Sequence, residues 1–304
     1  MRDGHGGGKF DDVGEIWSMA DAQDRWAAWL LEKRFGGDRD QLAAMLPRLI
    51  GIRDKVLDNA NLKNVSLLLD VGAGDGLIAF GALKRIKPQA RVIFSDISED
   101  LLHHGRNVAE GLGVLDRVDF VLADACNLGA IESASVDAVT TRSVLIYVSE
   151  KSTALREFFR VLRSGGRISL AEPINRITED LEIVVPEIAE LEQKLKDNEA
   201  TLCSSHEASM LDFTERDLLT MNYKTGFTEI HIELRIDVQH REAMPWETYL
   251  RTSPNPNAKT MYESFMDAFT VEQFWRYESH MKPLIESGKL PQCRAMAYIS
   301  ALKP

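Results

Sequence analysis

Residues Ser66–Gly76 read SLLLDVGAGDG. An aliphatic run closes on Asp70, and Gly72, Gly74 and Gly76 follow at alternate positions. Such a run, without polar alternation, predicts a strand buried on both faces. Glycines directly after it let the chain turn sharply and approach a ligand where a Cβ would collide. A dinucleotide-binding loop spaces its glycines G-x-G-x-x-G, but counting from Gly72 the third position is Leu77. The pattern is instead D-x-G-x-G, with an acid at the strand's tip.

The residues that follow repeat the theme. Arg91–Ser95 (RVIFS) is a second apolar run and ends at Asp96, and Val118–Leu122 (VDFVL) is a third and leads into Ala123-Asp124-Ala125. Val136–Thr141 predicts a fourth strand entering Arg142-Ser143. Leu155–Gly166 (LREFFRVLRSGG) reads as an amphipathic helix stopped by two glycines, before a fifth strand over Arg167–Glu172. In open α/β sheets the ligand lies outside the carboxyl ends of the strands, and an acid ending the second strand can accept from both hydroxyls of a ribose.

The D-x-G-x-G loop, the three acid-tipped strands and the phrase VLRSGGRISLAEP closely resemble class I S-adenosylmethionine (SAM) methyltransferases. The likeness runs from about Asn64 to Arg176, with a weaker echo at the C-terminus. It implies an α/β fold: a Rossmann-like, seven-stranded, mostly parallel sheet with an antiparallel last strand, helices on both faces and helical lid insertions. SAM is the implied cofactor. On the family's pattern Asp70 faces the ammonium of its methionine end, Gly72 and Gly74 make room for it, and Asp96, with Ile97 beside it, meets the ribose. Asp124 takes a bond from the adenine amino group, with Ala125 next to it. Arg142 either binds an anionic acceptor group or, the favoured reading, ties down the cofactor loop.

Organisation follows from where the strands stop. Residues 1–60 read as an N-terminal arm and helical cap, in which Trp26, Trp29 and Leu30 share one helical face. Residues 61–304 form the SAM-binding domain, interrupted by helical insertions at about 177–225 and 242–291. The first is a long acidic helical stretch over Asp180–Asn222, and the second is broken by the Pro254–Asn257 turn. Phe227–Val238 alternates as a sixth strand and Arg294–Ala301 makes the seventh. Both insertions are expected to build a lid over the carboxyl edge of the sheet.

The net charge of −11, from 36 basic and 47 acidic residues, argues against general nucleic-acid binding. No apolar run is long enough to cross a bilayer, and MRDGHGGGKF at the start lacks the apolar core of a secretion signal and reads as a flexible arm. Cys126, Cys203 and Cys293 have neither disulfide nor metal-ligand spacing. A cytoplasmic protein is the natural reading, and a homo-oligomer is compatible with it.

SAM carries its methyl on an activated sulfonium, so positioning, exclusion of water and removal of one proton suffice for transfer. Thr140-Thr141-Arg142-Ser143 follows the fourth strand, where metal-dependent catechol methyltransferases carry acids, so no catalytic metal is expected. Three lone cysteines disfavour arsenite methylation. The acceptor is expected to be a small organic molecule. Candidate catalytic residues are Tyr147 just past the fourth strand, Glu172 at the fifth strand's tip, and His206 in the first insertion. A hydroxyl or amine acceptor needs a base such as His206 or Tyr147. A carbon acceptor, such as an alkene of a prenyl diphosphate, needs aromatic walls, for which Trp17 and Trp246 are candidates, with Glu172 as base and Arg142 and Arg176 for the diphosphate. Against both stands a SAM-binding protein that serves a partner without turnover.

Overall fold

The computed structural model describes residues 24–180, 185–202 and 209–304. Trp17, Cys203 and His206 lie outside the described residues. Seven strands make one sheet: β1 (Leu67–Val71), β2 (Arg91–Asp96), β3 (Val118–Leu122), β4 (Val136–Arg142), β5 (Leu162–Pro173), β6 (Thr228–His240) and β7 (Pro291–Leu302). Their order is β3-β2-β1-β4-β5-β7-β6. All neighbours run parallel except those of β7, which is antiparallel to both β5 and β6. The order reverses beside β1, so the crevice at the carboxyl ends opens between β1 and β4, where Asp70 pairs in register with Thr140.

Helices in chain order are α1 (Arg25–Ala27), α2 (Arg39–Asn59), α3 (Leu77–Leu83), α4 (Glu99–Gly111), α5 (Lys151–Val161), α6 (Asn175–Asp180), α7 (Ala189–Leu202), α8 (Glu215–Thr225), α9 (Trp246–Arg251), α10 (Met261–Ala268) and α11 (Val271–Glu286). One face of the sheet is covered by α2, α3 and α4, with Val56, Ile78, Leu102 and Phe94 buried against it. The other is covered by α5 and α8, with Phe158, Leu218 and Phe227 in the core. The apolar central strands β1, β2 and β4 are thus buried on both sides, as their composition requires.

Two boundaries differ from the sequence reading. Helix α5 ends at Val161, and Gly165-Gly166 lie inside β5, where Gly165 N donates to Lys303 O at 2.8 Å. The first insertion is divided rather than continuous. Its last part, α8, lies under the sheet because Leu218 and the flanking Phe213 and Phe227 are buried in that core. Its Thr214 capping box fixes the helix start independently of α7. Helices α7 and α9–α11 pack on one another instead, around Trp246, Phe265, Phe274, Tyr277 and Leu191. Trp246 stacks on Phe265 at 6.4 Å and 12° in this second core, so it does not wall the crevice.

Chain before α2 forms a strap over the sheet edge: α1, a π-helical turn Ala28–Glu32 and a 3-10 turn Lys33–Phe35. Asp24 anchors it. Its Oδ1 accepts from Trp26 N (2.9 Å) and Ala27 N (3.0 Å), and its Oδ2 from Ser98 Oγ (2.5 Å). The Trp29 indole donates to Ser253 O at 3.0 Å, tying the strap to the second insertion.

Candidate active site

A cavity of about 1320 Å³ runs along the carboxyl ends of the strands, under the strap. Its cofactor end is built by the β1 loop. Gly72 and Gly74 take positive φ (62° and 58°), which only glycine adopts without strain. A Cβ at Gly72 would collide with Val144, and one at Gly74 would come within 2.9 Å of Leu30 Cδ2. Asp70 is 1% exposed. Thr140 Oγ1 donates to its Oδ1 at 2.8 Å, while its Oδ2 is buried without a partner. Burial pushes this carboxyl up to about 7, against the pull of the Thr140 bond, of the Ala79 N–H, which lies near without making a bond of good geometry to Oδ2, and of the Arg142 guanidinium.

Asp96 joins two strand ends. Gly74 N donates to its Oδ2 and Ser98 N to its Oδ1, both at 2.9 Å. Burial raises its pKa above the usual carboxylate range. Each oxygen keeps acceptor capacity, since an ionised carboxylate offers about four lone-pair sites. Beyond it lie Ile97, an exposed apolar side chain, and Asp124, whose Oδ1 accepts from Cys126 N at 2.7 Å. A shallow pocket of about 520 Å³ continues the cavity past Ile97, Leu122 and Asp124. Ala125 and Arg142 also line the main cavity. The structure therefore brings together all eight residues expected to hold the cofactor. An orphaned carboxylate oxygen, a cradle that a Cβ would fill and an acid beside an apolar shelf suit the ammonium, ribose and adenine of SAM.

The candidate catalytic residues separate. Tyr147 lines the cavity, with its ring edge-on to Trp26 (5.2 Å, 76°) and Trp29 (6.4 Å, 72°). Burial pushes its phenol up to about 12, so it holds its proton at neutral pH. Glu172 points away from the crevice. It is fully buried, accepting from Val144 N (3.0 Å), Ile146 N (3.2 Å) and Thr141 Oγ1 (3.3 Å). The loop after β4 folds back over the end of β5, helped by Ser143 at φ 57°, and its N–H groups engage the carboxylate. The neighbouring Pro173 lines the cavity instead. Arg176 is exposed and outside the lining, so it does not join Arg142 there. His103 and His104 do not line the cavity either.

Sequence reading missed the walls. Trp26 and Trp29, read as one apolar helical face, line the cavity, and so do Arg34, Arg48 and Arg294 from the strap, α2 and β7. Thr140 was passed over, although its register opposite Asp70 in a parallel pair makes it that acid's nearest donor.

This sheet order, with the acid and glycine cradle at its switch point, is a Rossmann-like fold of the kind found in solved SAM-dependent methyltransferases. Residues 48–185 match the model of the ubiE/COQ5 methyltransferase family. Over 125 residues the chain is 31% identical to the ubiquinone/menaquinone biosynthesis C-methyltransferase UbiE of Salmonella arizonae, an alignment covering 41% of this chain and 49% of that protein. The chain thus spans about half the length of the curated relatives it matches. Its fold is shared with the YcgJ protein of Bacillus subtilis (TM-score 0.55, 17% identity, 84% of this chain and 98% of that one). It is also similar to a geranyl diphosphate methyltransferase solved with SAM (TM-score 0.50, 19% identity, 93% and 96% covered).

Proposed function

We propose that the protein transfers a methyl group from SAM to a small organic acceptor without a catalytic metal. The observation that carries this reading is one continuous cavity whose acid-and-glycine end meets an aromatic-walled end at Tyr147. When bound, SAM supplies a methyl group already activated on its sulfonium. The chain's own residues then have three tasks.

Asp70 pairs with the cofactor's ammonium through its free oxygen, Asp96 accepts from the ribose, and Ile97, Asp124 and Ala125 receive the adenine. Trp26, Trp29 and Tyr147 would exclude water and hold the acceptor in line with the cofactor's end of the cavity. The Tyr147 hydroxyl donates to the acceptor. Glu172 acts through the loop it holds, keeping Val144 against Gly72 and Tyr147 against the strap.

The test is incubation of the full chain with SAM and a metabolite extract, with mass spectrometry of products. S-adenosylhomocysteine formed only when extract is present, together with one product heavier by a methyl group, is expected. SAM binding with no acceptor-dependent S-adenosylhomocysteine overturns turnover and leaves a binding protein.

A further inference from the structure

Beyond the aromatic walls the cavity changes character. Arg34 from the strap, Arg48 on α2, Arg142 at the end of β4 and Arg294 on β7 all line it, although they come from four segments of the chain. Several guanidinium groups elsewhere in the molecule are held by the chain itself. Arg160 is held by Glu157 and the carbonyls of Leu128 and Ile131, and Arg117 by those of Ala90 and Lys87. In the cavity, among the described residues, none of the four has a carboxylate at ion-pair distance or a bond to a carbonyl of the chain, and Arg294 bonds only the Gln292 amide oxygen (2.5 Å). Of the acids nearby, Glu233 pairs with Lys55 at 2.5 Å and Asp237 with Arg235 at 2.8 Å, while Asp75 and Glu242 act on Arg34 and Arg294 from beyond ion-pair distance.

The four groups feel one another. Arg142 and Arg48 act on Arg34, Arg142 acts on Arg48, and Arg48 acts on Arg294. Burial first, then this repulsion, lowers Arg34 and Arg294 to about 10, so both remain charged at neutral pH. Arg34 is held in place by its stacking on Trp29 (5.4 Å) and Phe35 (5.1 Å). Tyr298, opposite Glu233 on β7, also lines this part of the cavity. Converging, half-desolvated cations with no carboxylate at ion-pair distance gain when a multiply charged anion joins them, and planar guanidinium forks fit the oxygens of a phosphate group bidentately.

We propose that the acceptor is a phosphorylated molecule, its phosphate or diphosphate gripped by Arg34, Arg48, Arg142 and Arg294 while its reactive end lies between the aromatic walls and the cofactor. This rests on reading the cavity as a methyltransferase site. It replaces Arg176, expected from the sequence, with residues on α2 and β7 that the sequence reading did not single out.

The test is calorimetry on the full chain saturated with S-adenosylhomocysteine, titrated at fixed ionic strength with inorganic pyrophosphate, inorganic phosphate and succinate. Saturable one-to-one binding of pyrophosphate or phosphate is expected, and the tighter of the two tells diphosphate from monoester. Succinate should bind at least about tenfold more weakly than that anion. Arg48→Ala and Arg294→Ala should each weaken it by about ten- to a hundredfold, as loss of a charge-assisted bond implies. Arg117→Ala should leave it unchanged, and S-adenosylhomocysteine affinity of Arg48→Ala should stay within about threefold of the parent. No saturable heat with either phosphate probe, succinate binding as tightly, or indifference to both cavity substitutions overturns the proposal. Failure of S-adenosylhomocysteine itself to bind strikes the methyltransferase reading instead, and pyrophosphate titration of the ligand-free chain still decides the anion site.

Discussion

If Asp70 holds the cofactor's ammonium as proposed, cofactor affinity depends on pH in a range where few carboxylates titrate. Its carboxyl is 1% exposed, one oxygen is bonded by Thr140 and the other has no partner, and its pKa stands at about 7 instead of the ordinary 3.8. Pairing with an ammonium requires the ionised form, so binding at low pH must first remove a proton. For a group titrating near 7, apparent affinity falls by the factor 1 + 10^(pKa − pH), about 1.3 at pH 7.5 and about 11 at pH 6. S-adenosylhomocysteine should therefore bind roughly eightfold more weakly at pH 6 than at pH 7.5, and proton release on binding should be measurable by calorimetry in buffers of different ionisation enthalpy. Asp70→Asn, which keeps the shape and the Thr140 contact, should bind more weakly throughout and lose this slope. The ligand's own amine titrates equally against both proteins, so their difference isolates Asp70. The sign for stability is consistent. The folded pKa lies above the unfolded one, so the contribution is fully present below about pH 4 and is lost as pH rises toward 7, by on the order of 4 kcal/mol in the ligand-free chain. Parallel pH profiles for parent and Asp70→Asn would refute the assignment.

Asp96→Ala should weaken SAM binding by about 1.5–3 kcal/mol in calorimetry, since a buried charged acceptor shared by Gly74 and the ribose is lost, whereas the exposed Asp124→Ala should cost less. Gly72→Ala should abolish cofactor binding and lower the melting temperature, because its φ of 62° and the Val144 side chain both oppose a Cβ; normal affinity would remove the cradle from the argument. Glu172→Gln should destabilise the fold by about 1–3 kcal/mol, as an amide cannot satisfy all three donors. A stable Gln variant with turnover cut by about 10²-fold or more would restore Glu172 as a base.

The convergence of the acids and glycines at one edge was legible in the sequence because strand tips in a parallel sheet converge without further information. Once β1, β2 and β3 are recognised, Asp70, Asp96 and Asp124 must meet at one edge, and glycines beside the first acid leave space there. Fold class and strand number follow from the same periodicities, whereas the antiparallel β7 was implied by the family resemblance alone. The acceptor end was not legible, because no local pattern encodes it. Glu172 and Pro173 are neighbours at a strand tip, and only the backward fold of the β4 loop turns the carboxylate inward and leaves the proline at the crevice. Trp26 and Trp29 look like any buried helical face until the strap is laid across the sheet. Arg34, Arg48, Arg142 and Arg294 are spread across most of the chain, and they meet because α2 crosses the sheet face while β7 inserts antiparallel between β5 and β6. Backbone hydrogen bonding and apolar burial act locally enough to be read from spacing, but a charge cluster drawn from four segments exists only after the long-range packing is complete.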